Sequence, residues 1–214
     1  MSSLKLKHSS GNGTIINAPA ANPSADITLK VPSTTGSAGQ VLAVASANHS
    51  STNAELEWAA DAGKFASYAV ICDQKANNTN GGQPPNTTAY NKRDLNTEIA
   101  DADGIVSISS NEFTLQAGTY LVKARAPGFR MDRHQAKLYN VTDSSDIQYG
   151  SSEHSADSVA VTTYSHITAR FTLSGAKALA IYHRCENTDG EGYGLANNFS
   201  NVQIYTVVEI FKEA

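Results

Sequence analysis

Asn111-Glu112-Phe113-Thr114-Leu115-Gln116-Ala117-Gly118-Thr119-Tyr120-Leu121-Val122 reads as two β-strands about a turn. Residues 112–115 make the first strand and 119–126 the second, with Ala117-Gly118 as the punctuation between them. Gly118 suits a turn that needs positive φ, and Tyr120 supplies a ring large enough to fill the space between two sheets. Further along, Ile167, Ala169, Phe171 and Leu173 alternate with Thr168, Arg170 and Thr172, the pattern of a half-buried strand. More strands are expected at 68–72, 105–108, 136–141, 158–163, 178–183 and 202–211, most of them bounded by Gly, Asn, Asp or Ser clusters. So many strands in the space from Gly63 to the C-terminus imply an antiparallel sandwich, most simply a jelly roll.

Composition agrees. Of 214 residues only 17% are charged, while Ser, Thr and Asn number 58, which favours turns and wet β-edges over helices. The formal net charge of -4, with no basic run, argues against nucleic acid or an anionic membrane as partner, and no stretch approaches a membrane span. Met1 to Lys7 is too short and polar to serve as a signal peptide, so secretion is not expected. Cys72 and Cys185 have no metal-ligand spacing and read as buried thiols, with a single bridge as the alternative.

Aromatic residues divide the chain. Trp58 alone precedes Gly63, and the other fifteen follow it. The first 62 residues hold seven charges and short apolar runs at 4–6, 14–16, 27–31 and 40–44, separated by Ser, Gly, Asn and Pro. Such runs do not close a core within one chain, so 1–62 is expected to be a β-rich stem ordered by sister chains or another protein, and 63–214 a compact knob. At 202–211 both faces are apolar, which predicts oligomerisation across Tyr205, Val207 and Phe211 or, in the other register, Ile204, Val208 and Ile210.

The 111–122 stretch resembles the strand-turn-strand signature of the complement component one-q and tumour necrosis factor jelly-roll superfamily. Arg93-Asp94-Leu95-Asn96, Ala136-Lys137-Leu138-Tyr139-Asn140 and Thr206-Val207-Val208-Glu209-Ile210 are similar to the variant found in phage structural proteins. In the front section, Asp26-Ile27-Thr28-Leu29-Lys30-Val31-Pro32, Gly36, Gly39-Gln40-Val41-Leu42 and Leu56-Glu57-Trp58-Ala59 resemble a repeat of marine bacteriophage tail-fibre proteins. These resemblances imply a homotrimer on the virion surface, made in the host cytoplasm. Its inner sheets would surround a threefold axis, residues 1–62 would attach to other virion proteins, and the knob would adhere to a host receptor or glycan. A capsid-decorating head fibre, a purely structural virion protein and a free lectin-like trimer are the alternatives.

No catalytic motif is present. Asp132, Asp146, Glu153, Asp157 and Glu186 fall in expected loops with nothing to assemble them, so the protein is read as a non-enzyme. Asp101-Ala102-Asp103-Gly104 begins a calcium-loop pattern without its later ligands, which leaves Asp101 and Asp103 as weak candidates and no cofactor expected. The histidines His8, His49, His134, His154, His166 and His183 form no HxH or HExxH pair, though His166 or His183 could meet its copies on a threefold axis. Contact chemistry is assigned to two polar loops. Asn86 and Tyr90 lie in the first and Tyr193, Asn197 and Asn198 in the second, their planar amides and rings suiting sugar recognition.

Overall fold

The structure is a computed structural model that describes residues 3–7, 13–17, 28–45, 50, 53–60 and 63–214. His8, His49 and Ile27 of the stem expectations lie outside the described residues. Contacts divide the chain into two compact units, Met1–Asp61 and Ala62–Ala214.

The first unit holds β1 (Ser3–Lys7), β2 (Gly13–Asn17), β3 (Thr28–Lys30), β4 (Gln40–Val44) and β5 (Asn53–Ala60). β1 and β2 form an antiparallel hairpin, while β5 lies between β4, antiparallel, and β3, parallel. Each apolar run expected in the stem therefore overlaps a strand. The β3–β5 pair is parallel, and the segment between these strands supplies the crossover that parallel pairing requires.

The Gly36, Gly39-Gln40 and Trp58 positions of the front section acquire a physical meaning here. The Trp58 indole lies so close over Gly36 that a Cβ there would sit 2.6 Å from the ring, and its N–H donates to Thr34 O at 2.8 Å. Gly39 takes φ of 82°, and the Gln40 side chain accepts from Ser37 N and donates to Trp58 O. Leu29, Val31, Val41, Leu42 and Val44 nevertheless remain exposed.

The second unit runs β6 (Phe65–Lys75), β7 (Asn91–Lys92), β8 (Thr97–Ala100), β9 (Val106–Ser109), β10 (Glu112–Leu115), β11 (Gly118–Phe129), β12 (Asp132–Asn140), β13 (Ser145–Tyr149), β14 (Glu153–Ser155), β15 (Thr162–Leu173), β16 (Lys177–Cys185) and β17 (Gln203–Glu213). One sheet orders its strands β15-β11-β17-β6-β8, the other β13-β12-β16-β10-β9 with β7 and β14 at its margin. Every pairing in this unit is antiparallel, and sequential strands repeatedly cross between sheets, which makes it a jelly roll. No helix occurs among the described residues.

Alternating inward residues build the core. Phe113, Leu115, Tyr120, Val122, Leu138, Ile167, Leu179, Ile181, Val208 and Ile210 are almost fully buried between the sheets. Gly118 has φ of 151°, a turn conformation that L side chains rarely adopt, and hands the chain from β10 to β11. The expected strand at 158–163 is not separate: the chain enters β15 only at Thr162, and that strand continues through the alternating 167–173 stretch.

The second unit holds its own core, so residues 63–214 produced alone should fold. The fragment is expected to melt cooperatively within about 3 °C of the full chain's knob transition, because its buried contacts are internal. An insoluble or non-cooperative fragment would contradict this division.

Candidate functional site

A buried charge organises one end of the sandwich. Arg93 sits between β7 and β8 with no solvent exposure. Its Nε donates to Thr206 Oγ1 on β17 at 2.9 Å, Nη1 to Pro127 O on β11 at 3.1 Å, and Nη2 to Tyr193 O at 2.9 Å. The guanidinium carbon lies 3.9 Å from the Tyr193 ring centroid. No carboxylate is within ion-pair range among the described residues, so neutral oxygens and an aromatic face replace water around this charge. Burial lowers its pKa to about 10, which leaves it cationic at neutral pH.

That cation fixes two histidines. Arginine only donates, so the Arg93 Nη1 to His183 Nδ1 contact at 3.4 Å makes Nδ1 the acceptor and places the proton on Nε2. His183 Nε2–H then donates to His134 Nδ1 at 2.9 Å, and His134 Nε2–H donates to Thr163 Oγ1 at 2.8 Å. The His134 ring packs against Gly128, where a Cβ would lie 2.6 Å away. Burial above all, opposed by Glu153 and reinforced by Arg93, lowers the His134 pKa to about 4, and burial followed by Arg93 takes His183 well below 6.5.

The two loops expected to bind a ligand instead seal this centre. Gly81 N donates to Gly194 O, Tyr193 N to Gly82 O and Ala196 N to Asn80 Oδ1, so residues 76–90 and 186–202 clasp each other. Gly194 has φ of 135°, and a Cβ there would sit 2.2 Å from the Tyr205 ring. Tyr193 is 6% exposed, stacked on His183 beneath Arg93. It is a packing residue rather than a surface contact. Nothing in the spelling Gly192-Tyr193-Gly194 distinguished these roles, because a ring under a buried guanidinium depends on Arg93, a hundred residues away.

Asn86 is exposed, but its Oδ1 accepts from Thr88 N and Ala89 N and so shapes its own turn. Asn197 Oδ1 accepts from Phe199 N in the same manner, while Asn198 is exposed with φ of 55°. Tyr90 lies apart from the seal, half-buried, its hydroxyl donating to Gln135 Oε1 at 3.1 Å. Asp101 turns both carboxylate oxygens onto Ile105 N and Val106 N, a loop-closing role. Among the described residues no cluster of three or more His, Cys, Asp and Glu could hold a metal. His183 is interior and cannot meet copies of itself on an axis, whereas His166 is exposed on β15. Cys72 and Cys185 are free and buried.

β17 divides its apolar residues between two faces. Val208 and Ile210 point into the core, and Tyr205 is held beneath the loops with its hydroxyl donating to Thr79 O. A register irregularity between Ile204 and Val207 breaks strict alternation. Neither alternate set read from sequence is therefore kept whole: Val207 and Phe211 face outward, and Ile204 is 44% exposed. Cross-strand register continues this outer face as rows Tyr68–Phe211–Leu121–Arg170, Val70–Glu209–Lys123–Thr168 and Cys72–Val207–Arg125–His166. One end is aromatic, with Phe65 and Tyr68 rings 5.4 and 6.4 Å from Phe211. The other is a concavity of about 370 Å³ bordered by Lys123, Arg125, His166 and Glu209.

Two outcomes follow from the buried centre. Tyr193→Phe should match or exceed the native stability, since the phenolic oxygen is buried without a partner among the described residues, whereas Tyr193→Ala should cost about 3 kcal/mol. Equal losses for both would refute the packing role. Both histidines have folded pKa values below 6.5, so the unfolded chain binds more protons below that pH and stability falls with acidification. Urea midpoints should hold above pH 7 and decline between about 6.5 and 4, by on the order of 3 kcal/mol for His134 alone. Asp73, raised by burial, acts in the opposite sense at the acidic end. A shallower profile in His134→Gln than in the parent, with the remaining slope due to His183, is the expected signature.

No family model matches the chain, and nothing among curated proteins matches it. Among solved structures it is similar to the globular domain of zebrafish complement 1qA, with TM-score 0.44, 14% identity, and 70% of this chain and 97% of that one covered. Murine APRIL at pH 5.0 is similar at TM-score 0.42 and 5% identity, covering 68% of this chain and 98% of that one. The PRD1 vertex protein P5 is similar at TM-score 0.44 and 14% identity, covering 70% and 99%.

Proposed function

We propose that the protein is a homotrimeric virion fibre or spike whose knob adheres to the host surface by binding without catalysis. The observation that carries the assembly is the outer face of the β17 sheet. Tyr68 at 55% exposure and Phe65 at 39% lie beside Phe211, in the same face as Glu209 and Lys123, neither of which has an ion-pair partner among the described residues. An aromatic patch next to unpaired charges of both signs is suited to a second copy of itself. The virion assignment is supported by the fibre-type motif whose Gly36, Gln40 and Trp58 have structural roles in the first unit. In this reading residues 1–62 attach to other virion proteins, and host recognition falls to surfaces of the knob that the trimer leaves open.

Sedimentation equilibrium of the full chain should give three copies of the 22.6 kDa protein at micromolar concentration. Phe211→Asp should yield a folded monomer, weakening association by at least about a hundredfold. Ile210→Asp should instead unfold the knob, because its carboxylate would enter the core. A parent that stays monomeric sinks the assembly. Phage adsorption that is undiminished after knob deletion would favour the capsid-decorating or purely structural reading.

A further inference from the structure

The face of the β16 sheet turned away from the proposed trimer contact carries an open groove of about 500 Å³ between β12, β14, β16 and the segment before β7. Its side chains are already held in place. Gln135 accepts from Tyr90 OH through Oε1, while its Nε2 donates to Gly150 O at 3.0 Å and contacts Ser152 Oγ at 3.4 Å. Arg133 forks onto Glu186, with Nε to Oε2 at 2.8 Å and Nη2 to Oε1 at 2.5 Å, so those charges cancel. Glu153 Oε1 accepts the Ser151 hydroxyl at 2.6 Å. The Tyr90 ring is fixed by Lys137 Nζ, 4.5 Å from its centroid.

Two charges in the groove have no ion pair among the described residues: Glu153, whose partner is the Ser151 hydroxyl, and Arg184. Arg184, opposite Gln135 in the β12–β16 register, is exposed and has neither ion pair nor hydrogen bond among the described residues. We infer that this groove binds an acidic sugar of the uronic acid class, its carboxylate on Arg184 and its hydroxyls on Gln135, Ser152 and Glu153. The pairing of groups supports this chemistry. A planar guanidinium takes a carboxylate through two parallel N–H bonds, and a carboxylate such as Glu153 accepts hydroxyl protons. Immobilised polar side chains lose little entropy on binding, and a trimer would present three such grooves to a polysaccharide.

This inference deepens the adhesion reading and rests on it. The test titrates full-length protein with D-glucuronate, D-glucose and acetate, following the Arg184 side-chain Nε–Hε resonance, with sedimentation and host-cell adhesion measured on the same preparations. Glucuronate should give a saturable shift, with glucose and acetate at least about tenfold weaker, because each lacks half of the recognised groups. Arg184→Gln, followed through the Gln135 side-chain amide resonances, should lose at least about tenfold in glucuronate affinity with unchanged sedimentation and melting. Gln135→Ala should weaken binding while leaving acetate unaffected. Equal responses to acetate and glucuronate, no saturable response, or undiminished binding by Arg184→Gln would overturn the uronic acid site. If trimer and adhesion persist in that case, only this inference fails; loss of both in the parent would remove the reading beneath it.

Discussion

A guanidinium with no access to water and, among the described residues, no carboxylate within ion-pair range is the constraint on which one whole end of the knob depends. Arg93 donates to β11, β17 and the segment after β16 and contacts His183 on β16, so a single side chain ties both sheets to the long loop. Leaving any of those acceptors unpaired would be costly in a buried setting, and leaving the charge uncompensated more so. The Tyr193 ring beneath it, the neutral histidine pair and the glycines of the clasped loops are consequences of housing that charge. Gly194 is required because Tyr205 lies where its Cβ would be, and Gly128 because His134 does.

This accounts for a functional rearrangement. Loops rich in Asn, Gly and Tyr invite a ligand-binding reading, but here much of their polarity is directed at each other. Asn80 bonds both Glu191 and Ala196 N, and Gln83 donates to Thr188 O. In the proposed reading, recognition falls to the outer faces of the sheets, where side chains project from a rigid frame. The two faces differ in character. That of the β17 sheet is aromatic at one end and charged at the other, whereas that of the β16 sheet is polar, concave and lined by side chains already fixed by hydrogen bonds.

The fold was legible from local pattern because alternation and turn chemistry are local. Residues 112–115 form β10 as read, Gly118 takes the expected positive φ, and the strands of the core occur where apolar residues alternate. Short strands such as β7, β8 and β14 had no such pattern, since their positions come from pairing with distant partners. In β17 the outward residues could not be chosen from sequence. Both faces are apolar, and the irregularity between Ile204 and Val207 resets the alternation midway. The role of Arg93 was invisible for the related reason that its partners come from residues 127, 183, 193 and 206.

The measurement closest to the central claim is the ¹⁵N chemical shift of the histidine ring nitrogens in the intact protein at pH 7. A donor-only guanidinium at His183 Nδ1 requires both His183 and His134 to be neutral, each with its proton on Nε2. Two protonated Nε2 and two unprotonated Nδ1 signals, insensitive to pH until well below 6.5, are the predicted result. An imidazolium at either position, or a proton on His183 Nδ1, would contradict the network and with it the account of why these loops are sealed.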